Sequence, residues 1–479
     1  MKKFTKILLI GCLLVTVSCN NWLDVDPKSQ VKDKDLFASE MGFKEALSGV
    51  YSLMTKEALY GKELTFGWLG VLGQEWTSVP YNYEDDQKYD FENAASEVRI
   101  DSVWTGLYNA IANANKLLKE LEGKENLFSG DNYSIIKGEV LALRAYLHFD
   151  LLRIFGASCA VGMERIAIPY VTEYAPTIFP QEKVGDFVGK VLKDLQDAAK
   201  CLENDPILTG RTVSEIDDNG YLMNRQVHLN YYAVKGLMAR VYLYKGDYAN
   251  AEVCAKEVIG SGCFEWVKQE NLTNESVADL TFSTEHLFAL NIVTLGNIVD
   301  KYLDGGNNSF ALEESRLSEY YGSSYDYRYL YLFKTGVGMS NTLRYLKKYD
   351  QLESVSWAQS YRNKLPLICL PEMYYILAEC RYHSSGDVLE PLNEVCRHRG
   401  VADLSEADLS AFETLLLAEY RKEVIGGGQL FFQYKRLNRS VVPGTDVDLA
   451  GEGRYVIPMP KEVAGLIKLQ IKGGAANPS

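Results

Sequence analysis

The sequence predicts a mostly α-helical protein, built from paired antiparallel helices with a loop-rich, aromatic-rich lobe and minor β-hairpin content. Residues 138–156 carry the period of a long helix with a wide buried face. Two helix-turn-helix units follow at 231–260 and 370–397, and glycine and aromatic residues break the helical pattern over 59–90. The 479 residues exceed the roughly 250–300 of a single core, so we expect two lobes or an extended helical array.

The 138–156 helix is the element around which we expect the others to pack. Polar side chains interrupt its apolar face and need hydrogen-bond or ionic partners from neighbouring elements. A structural network is favoured over a catalytic dyad of His148 and Asp150, because residues two apart on a helix do not face each other. The polar members are Arg144, His148, Asp150 and Arg153, and the apolar members are Val140, Leu141, Leu143, Tyr146, Leu147, Leu151 and Ile154.

Four further segments show a helical period, at 36–54, 103–121, 187–202 and 415–437. Trp104 falls at a core position of the second segment, which favours packing over binding. The last segment is interrupted by three consecutive glycines, 426–428. No Lys-Ser or Lys-Thr pair follows them and no strand precedes them, so we expect a tight turn rather than a phosphate-binding loop.

The two helix-turn-helix units predict a repeat architecture. In the first unit, Ala239, Tyr242 and Ala251 fall where a tetratricopeptide repeat has its small, aromatic and small positions, although Lys235 holds that motif's tryptophan position. The second unit turns at Ser385-Gly386-Asp387. We therefore expect tetratricopeptide-like helix pairs stacked side by side as an α-α superhelix.

An aromatic-rich stretch at 264–365 separates the two units. Every second residue from Tyr325 to Tyr331 is a tyrosine, which is strand periodicity. We expect this strand to pair with 343–349 across a turn at 336–338, giving a β-hairpin.

The N-terminus has the pattern of a secretory signal. Lysines open the chain, an apolar run too short to span a bilayer follows at 7–17, and Val15-Thr16-Val17-Ser18-Cys19 resembles the lipobox of bacterial lipoproteins. That resemblance implies a signal peptide at 1–18, acyl chains (palmitate among them) on Cys19, and a tether at 19–35. Several acyl chains would anchor the protein stably to a membrane. An ordinary signal peptide followed by a free cysteine is the alternative.

Charge and cysteine content argue against a nucleic-acid-binding protein, a disulfide framework and a zinc site. The net charge of −14 becomes −17 when 1–18, with three lysines and no acids, is removed, so nucleic acid is not an expected partner. Seven cysteines follow Cys19, an odd number without disulfide-framework spacing, and a Cys254–Cys263 bond is left open. The cysteines and histidines at 380, 383, 396 and 398 lack the usual zinc spacings. We expect no cofactor and no metal.

Together, several short blocks resemble the SusD/RagB family of outer-membrane nutrient-binding lipoproteins across essentially the whole chain. Cys369 and Tyr420 stand where the family has arginine, and 472–479 lacks the family's usual ending. The blocks are Leu23-Asp24-Val25-Asp26-Pro27, Trp104 with Tyr108 and Ala114-Asn115, Gly138-Glu139, Leu143-Arg144-Ala145-Tyr146, Asp326 with Arg328, Lys348-Tyr349, Glu372-Met373-Tyr374-Tyr375-Ile376-Leu377-Ala378-Glu379, Glu419-Tyr420-Arg421-Lys422-Glu423, Gly428-Gln429-Leu430-Phe431-Phe432 with Lys435-Arg436, and Ile457-Pro458-Met459-Pro460.

This resemblance implies a SusD-like N-terminal helical region at 36–265, with tetratricopeptide-like repeats, and a SusD/RagB C-terminal region at 266–479. It implies a lipid-anchored protein on the outer face of a Gram-negative outer membrane. Such a protein acts as a lid on a SusC-like, TonB-dependent transporter and captures oligosaccharides or, in RagB-like members, peptides. It performs no chemistry on the ligand.

Sugar capture needs exposed aromatic rings beside polar groups, because sugar rings stack on aromatic faces while hydroxyls bind polar side chains. Two stretches offer such residues, and for each aromatic residue core packing is the alternative. The first holds Trp68, Trp76, Tyr81, Asn82, Tyr83, Asp85 and Asp86, and the second holds Tyr320, Tyr321, Tyr325 and Trp357.

Three other functions have weaker support in the sequence. A glycosidase would use two carboxylates, and Glu84, Asp85 and Asp86 are the place to look, but adjacent acids arise by chance among 64 acidic residues. A Ser-His-Asp triad finds no support either, because the sequence lacks an elbow such as Gly-x-Ser-x-Gly. A purely adhesive surface lipoprotein remains an alternative, since helical repeats suffice for it.

Overall fold

The computed structural model describes residues 34–210, 220–274, 277–306, 308–336, 342–351 and 361–474. The predicted signal peptide 1–18, the predicted lipidation site Cys19 and the candidate binding residue Trp357 lie outside the described residues. The described part is mostly helical, which confirms the predicted fold class. No described helix is both long enough and apolar enough to cross a bilayer.

The elements are numbered in chain order over the described residues. The helices are α1 (Glu40–Met54), α2 (Trp68–Leu72), α3 (Glu84–Gln87), α4 (Ala94–Leu121), α5 (Asn132–Phe155), α6 (Val184–Cys201), α7 (Pro206–Thr209), α8 (Tyr231–Lys245), α9 (Tyr248–Ile259), α10 (Glu270–Thr273), α11 (Leu295–Tyr302), α12 (Glu314–Tyr321), α13 (Tyr327–Tyr331), α14 (Leu370–His383), α15 (Leu389–His398), α16 (Phe412–Val424), α17 (Leu430–Arg436) and α18 (Lys461–Gly474). The strands are β1 (Ile166–Pro169), β2 (Gln181–Lys183), β3 (His286–Asn291), β4 (Leu312–Glu313), β5 (Phe333–Thr335), β6 (Leu343–Leu346) and β7 (Lys364–Cys369).

The long helices form a continuous stack in which each contacts the next: α4, α5, α6, α8, α9, α14 and α15. The α8–α9 turn shows how the sequence builds one pair. Gly246 ends α8 in the left-handed conformation, and the Asp247 side chain then accepts the Asn250 N–H at the start of α9. Ala239 and Ala251 are fully buried, so their small side chains let the pair approach closely. This confirms the predicted helix pairs.

Helix α5 is buried along nearly its whole length, and its polar residues form the expected structural network. Arg144 donates two hydrogen bonds of 2.7 Å to the Asp194 carboxylate. Asp150 accepts a 2.7 Å hydrogen bond from the Tyr60 hydroxyl and pairs with Arg153. His148 donates from Nδ1 to the Arg144 carbonyl and accepts the Val171 N–H at Nε2.

The loop-rich lobe consists of the 59–90 segment and the described residues of 264–369, which meet at a bridge between Ser78 and Ala311. Its described residues form two small antiparallel sheets, in the orders β3-β7 and β4-β6-β5. The predicted strand at 325–331 is wrong, because α13 occupies this stretch. Asp326 caps the helix by accepting the Arg328 N–H and also binds the Arg328 guanidinium. This ion pair favours a helical turn over an extended strand. The expected hairpin partner at 343–349 contains β6, which pairs with Phe333–Thr335 instead. Residues 337 and 338 of the predicted turn lie outside the described residues.

The glycine triplet forms the expected tight turn between α16 and α17. Gly426 and Gly428 have φ of +70° and +69°, a conformation that glycine adopts without steric cost. A Cβ on Gly428 would lie 2.5 Å from the Leu64 carbonyl oxygen, so this turn presses against the 59–90 segment. Elsewhere, Cys254 is buried and Cys263 exposed, and both are free thiols.

Candidate functional site

The two tryptophans predicted as binding platforms are core residues, which corrects that expectation. Trp68 is 0% and Trp76 2% exposed. Trp68 Nε1 donates to the Asp86 carboxylate at 2.9 Å, and Trp76 Nε1 donates to the Phe66 carbonyl at 2.7 Å. Because each indole N–H finds a buried acceptor, both rings are fixed inside the lobe.

Tyr83 and Asp86 are buried in the same cluster. The Tyr83 hydroxyl donates to Glu63 at 2.7 Å, and the Arg99 guanidinium lies 3.8 Å from the centre of the Tyr83 ring. Arg99 also pairs with Asp86. Burial raises the pKa of Asp86 to about 6, although Arg99 opposes that shift. These side chains stabilise the lobe and offer little surface to a ligand.

The remaining predicted residues of the first stretch lie on the outside of this core. Tyr81 is 87% exposed, and Asn82 and Asp85 are also exposed. Asn82 borders a cleft of about 500 Å³ that Lys62, Glu63 and Arg99 also line. Asp85 and Asp86 therefore occupy different environments, one exposed and one buried against Arg99, so they do not present two carboxylates to one cleft.

A second cleft contains Tyr320 from the other predicted stretch. We call it the Tyr320 cleft; it has a volume of about 380 Å³, and its lining includes Glu319, Tyr320, Arg421, Tyr434, Arg439 and Val441. Helix α12 packs on α16, and α16 on α17, which brings these residues together from three helices and the loop that follows α17.

Within this cleft, the half-buried Tyr320 ring lies over a cation. The Arg421 guanidinium carbon is 4.2 Å from the ring centre. The Arg421 guanidinium donates hydrogen bonds to the Gln74 carbonyl at 3.1 Å, to the Pro443 carbonyl at 3.4 Å and to the Tyr434 hydroxyl. An aromatic ring, a guanidinium and the exposed Val441 therefore line one concave surface, as ligand sites for small molecules require.

The other two described residues of the second stretch have different roles. Tyr321 is buried, and its hydroxyl donates to the Lys422 carbonyl at 3.0 Å. Tyr325 is 76% exposed and does not line the Tyr320 cleft. Trp357 lies outside the described residues.

Sequence reasoning missed an aromatic cleft of about 430 Å³ that Trp266, Tyr327 and His398 line. The Trp266 and His398 rings stack at 4.7 Å. It also missed Arg421 and Arg439 as cleft residues. The aromatic-rich composition of 264–365 pointed to Trp266, but no sequence pattern identifies the arginines as lining residues. The described residues bring together no group of three or more His, Cys, Asp or Glu side chains suited to a metal ion.

Comparison with known proteins gives consistent matches. Residues 21–243 match the SusD-like family described as "Starch-binding associating with outer membrane". Among curated proteins, the SusD-like protein P38 of Formosa agariphila is 24% identical over 269 residues, which cover 55% of this chain and 47% of that relative. The SusD-like protein P25 of the same organism is 24% identical over 166 residues, or 31% of its length. The matched segments thus span less than half of these relatives.

Solved structures match over much more of the chain. A SusD superfamily protein from Bacteroides thetaiotaomicron has a TM-score of 0.72 at 20% identity, covering 90% of this chain and 98% of that one. A SusD-like carbohydrate binding protein from Bacteroides vulgatus has a TM-score of 0.66 at 17% identity, covering 84% of each. At these identities the likeness establishes the fold.

Proposed function

We propose that this chain, which belongs to the SusD-like family, captures oligosaccharides at the outer membrane and passes them on without transforming them. The observation that carries the proposal is the Tyr320 cleft, where a half-buried aromatic ring lies over a fixed cation. The family description and the name of the B. vulgatus structure, both of which refer to carbohydrate binding, support the choice of ligand.

The chemistry of the Tyr320 cleft suits a sugar. A pyranose ring has apolar C–H faces that stack on an aromatic side chain, while its hydroxyl groups bind polar and charged side chains. Tyr320 supplies such a ring, and its hydroxyl makes no hydrogen bond to the described residues, so it is available to a ligand. Glu319 and Arg439 at the rim offer an acceptor and donors for hydroxyl groups.

Delivery requires an anchor and a partner. We propose that acyl chains on Cys19 hold the protein at the cell surface and that a SusC-like, TonB-dependent transporter receives the ligand. The lipobox-like sequence and the family description, which refers to association with the outer membrane, support this part. We also propose that the SusD-like N-terminal region extends over 36–265 and the C-terminal region over 266–479.

Calorimetric titration of the chain without residues 1–19 against a panel of oligosaccharides tests capture. We expect saturable heat from one glycan class with no product released. Tyr320→Ala should weaken that binding by about 1–2 kcal/mol, since it removes the stacking surface and leaves the scaffold unchanged.

The matched control is Tyr174→Ala, which removes an exposed tyrosine far along the chain from the cleft residues. Tyr81→Ala and Tyr325→Ala test the other exposed tyrosines in the same way. Unchanged affinity in Tyr320→Ala would refute the Tyr320 cleft as the binding site. Binding heat from peptides but from no oligosaccharide would favour a RagB-like role. Released monosaccharides would refute the proposed lack of catalysis.

A further inference from the structure

The buried arginines of this acidic protein follow a consistent pairing rule. Nine arginines are buried among the described residues, and eight of them form an ion pair with a carboxylate. The eight pairs are Arg99 with Asp86, Arg144 with Asp194, Arg153 with Asp150, Arg225 with Glu139, Arg240 with Glu372, Arg328 with Asp326, Arg399 with Glu285 and Arg436 with Glu379.

Arg421 is the exception. It is 5% exposed, yet its partners within the described residues are two backbone carbonyls, one tyrosine hydroxyl and the Tyr320 ring. Its Nε makes no hydrogen bond to any of them. Removing a charge from water without an opposite charge nearby is costly, which is why buried charges are normally paired.

Acidic groups near Arg421 do not supply the missing charge. Glu75 lies close enough to interact electrostatically, but burial raises the pKa of Glu75 to about 8, so its carboxyl is mostly neutral at pH 7. At the rim, Glu319 pairs with Arg316 at 3.0 Å, and Glu413 pairs with Arg439 at 3.1 Å. The acids around the cleft are therefore neutral or already bound.

Among the described residues, the one buried arginine without a carboxylate partner also lines the Tyr320 cleft. We propose that the missing carboxylate comes from the ligand: the cleft binds an acidic sugar of the uronate type, with the carboxylate at Arg421 and the sugar ring against Tyr320. This inference rests on the proposed function and names its ligand class. A guanidinium fixed in place loses little freedom when it binds a carboxylate.

An acidic sugar fits these observations better than an acidic peptide. The Arg421 guanidinium lies over the Tyr320 ring, 4.2 Å from ring centre to guanidinium carbon, so a ligand that reaches both must present an apolar face and a carboxylate close together. A uronate ring does this within one unit, since its carboxylate is attached directly to the ring. An acidic side chain carries its carboxylate on a flexible alkyl stem with no face to stack.

The test compares trigalacturonate with its methyl ester, which keeps the rings and removes the charges. Calorimetry at low salt should show the acid binding about tenfold or more tightly than the ester. Arg421→Gln should reduce that ratio to about one. Arg454→Gln is the matched control, because Arg454 is a half-exposed arginine paired with Glu452 outside the cleft, and it should leave the ratio unchanged.

Arg421 also holds two carbonyls, so near-ultraviolet circular dichroism must first show that Arg421→Gln is folded. If it is not, Arg421→Lys keeps the charge but loses the planar fork, and a reduced ratio is still expected. Equal binding of acid and ester, or an unchanged ratio in a folded Arg421 variant, overturns the inference. Tighter binding of triglutamate than of trigalacturonate overturns it in favour of a peptide.

The two proposals fail in different ways. If neutral oligosaccharides bind and lose affinity in Tyr320→Ala, while trigalacturonate shows no advantage over its ester, sugar capture stands and the acidic ligand is wrong. If no saccharide in the panel binds, both are wrong.

Discussion

The pH dependence of the unfolding free energy tests whether α5 is packed around a neutral, buried His148. His148 is fully buried between the Arg144 carbonyl and the Val171 N–H, and it stacks on Tyr170 with ring centres 3.9 Å apart. Both ring nitrogens are used by the neutral form, because Nε2 must accept a hydrogen bond. Burial lowers the pKa of His148 from 6.5 to about 3.

The sign and size of the pH effect follow from linkage. Between pH 6.5 and 3 the unfolded chain binds a proton at this position and the folded chain does not, so stability falls as the pH falls through this window. The slope approaches about 1.36 kcal/mol per pH unit once the unfolded histidine is protonated, so lowering the pH from 7 to 4.5 costs roughly 2.6 kcal/mol from His148 alone.

The measurement is urea unfolding, followed by circular dichroism, of the wild type and His148→Gln at pH 7, 5.5 and 4.5. At pH 7 the variant should be less stable by about 1–3 kcal/mol, because it loses the stacking and leaves space in the core. This difference should shrink by roughly 2.6 kcal/mol at pH 4.5, since glutamine does not titrate.

His383→Gln is the matched control, because His383 is exposed but stacks on Tyr248 at the same 3.9 Å. Burial also lowers the pKa of His286, to about 4. His286 is present in both the wild type and His148→Gln, so its contribution cancels in the difference between them. A stability difference between wild type and His148→Gln that stays constant from pH 7 to 4.5 would refute the buried neutral imidazole.

Two further predictions concern stability. Lys435→Met should stabilise the protein by roughly 1–3 kcal/mol at neutral pH. Burial lowers the pKa of Lys435, and within the described residues its amine makes one hydrogen bond, of 3.2 Å to the Ile154 carbonyl. A lower midpoint of thermal unfolding in the variant would contradict this prediction. Gly428→Ala should cost more than Gly453→Ala, whose expected cost is about 1–2 kcal/mol from the left-handed conformation alone. Both glycines have φ of +69°, but only at Gly428 would the new Cβ meet a carbonyl oxygen at 2.5 Å, so equal unfolding free energies of the two variants would contradict the close contact.

The helical scaffold was predictable because burial imposes a period on the sequence. The predicted helix at 103–121 lies within α4, the one at 187–202 matches α6 to within one residue at its end, and the two helix-turn-helix units correspond to α8–α9 and α14–α15. Local capping residues such as Asp247 also mark helix starts in the sequence. Where packing and local sequence agree in this way, element type can be read directly.

Alternation of tyrosines gave the wrong element at 325–331 because a tertiary interaction decided it. Arg328 is buried and binds Asp326, Glu419 and Glu423, residues up to 95 positions away. Placing the Arg328 guanidinium among these carboxylates favours the helical turn that Asp326 caps. A pattern of apolar and polar residues carries no information about partners so distant in sequence.

The aromatic residues of the loop-rich lobe show a second limit. Trp76 and Tyr81 are five positions apart in similar surroundings, yet one is 2% and the other 87% exposed. An irregular segment has no repeating geometry, so its sequence does not specify which side chains point inward. The deciding factor here is the acceptor for each polar atom, such as the Phe66 carbonyl that receives the Trp76 N–H.

The buried aromatic residues of the first stretch still bear on the Tyr320 cleft, through Gln74. Its carbonyl accepts a hydrogen bond from Arg421, 347 residues away, and its side chain donates to the Gln87 carbonyl at 2.8 Å and to the Tyr89 hydroxyl at 3.1 Å. Gln74 itself has φ of +52°, a conformation that the surrounding contacts must enforce. The floor of the Tyr320 cleft therefore depends on a packed 59–90 segment, and the tryptophans that fix this segment support the cleft from within the core.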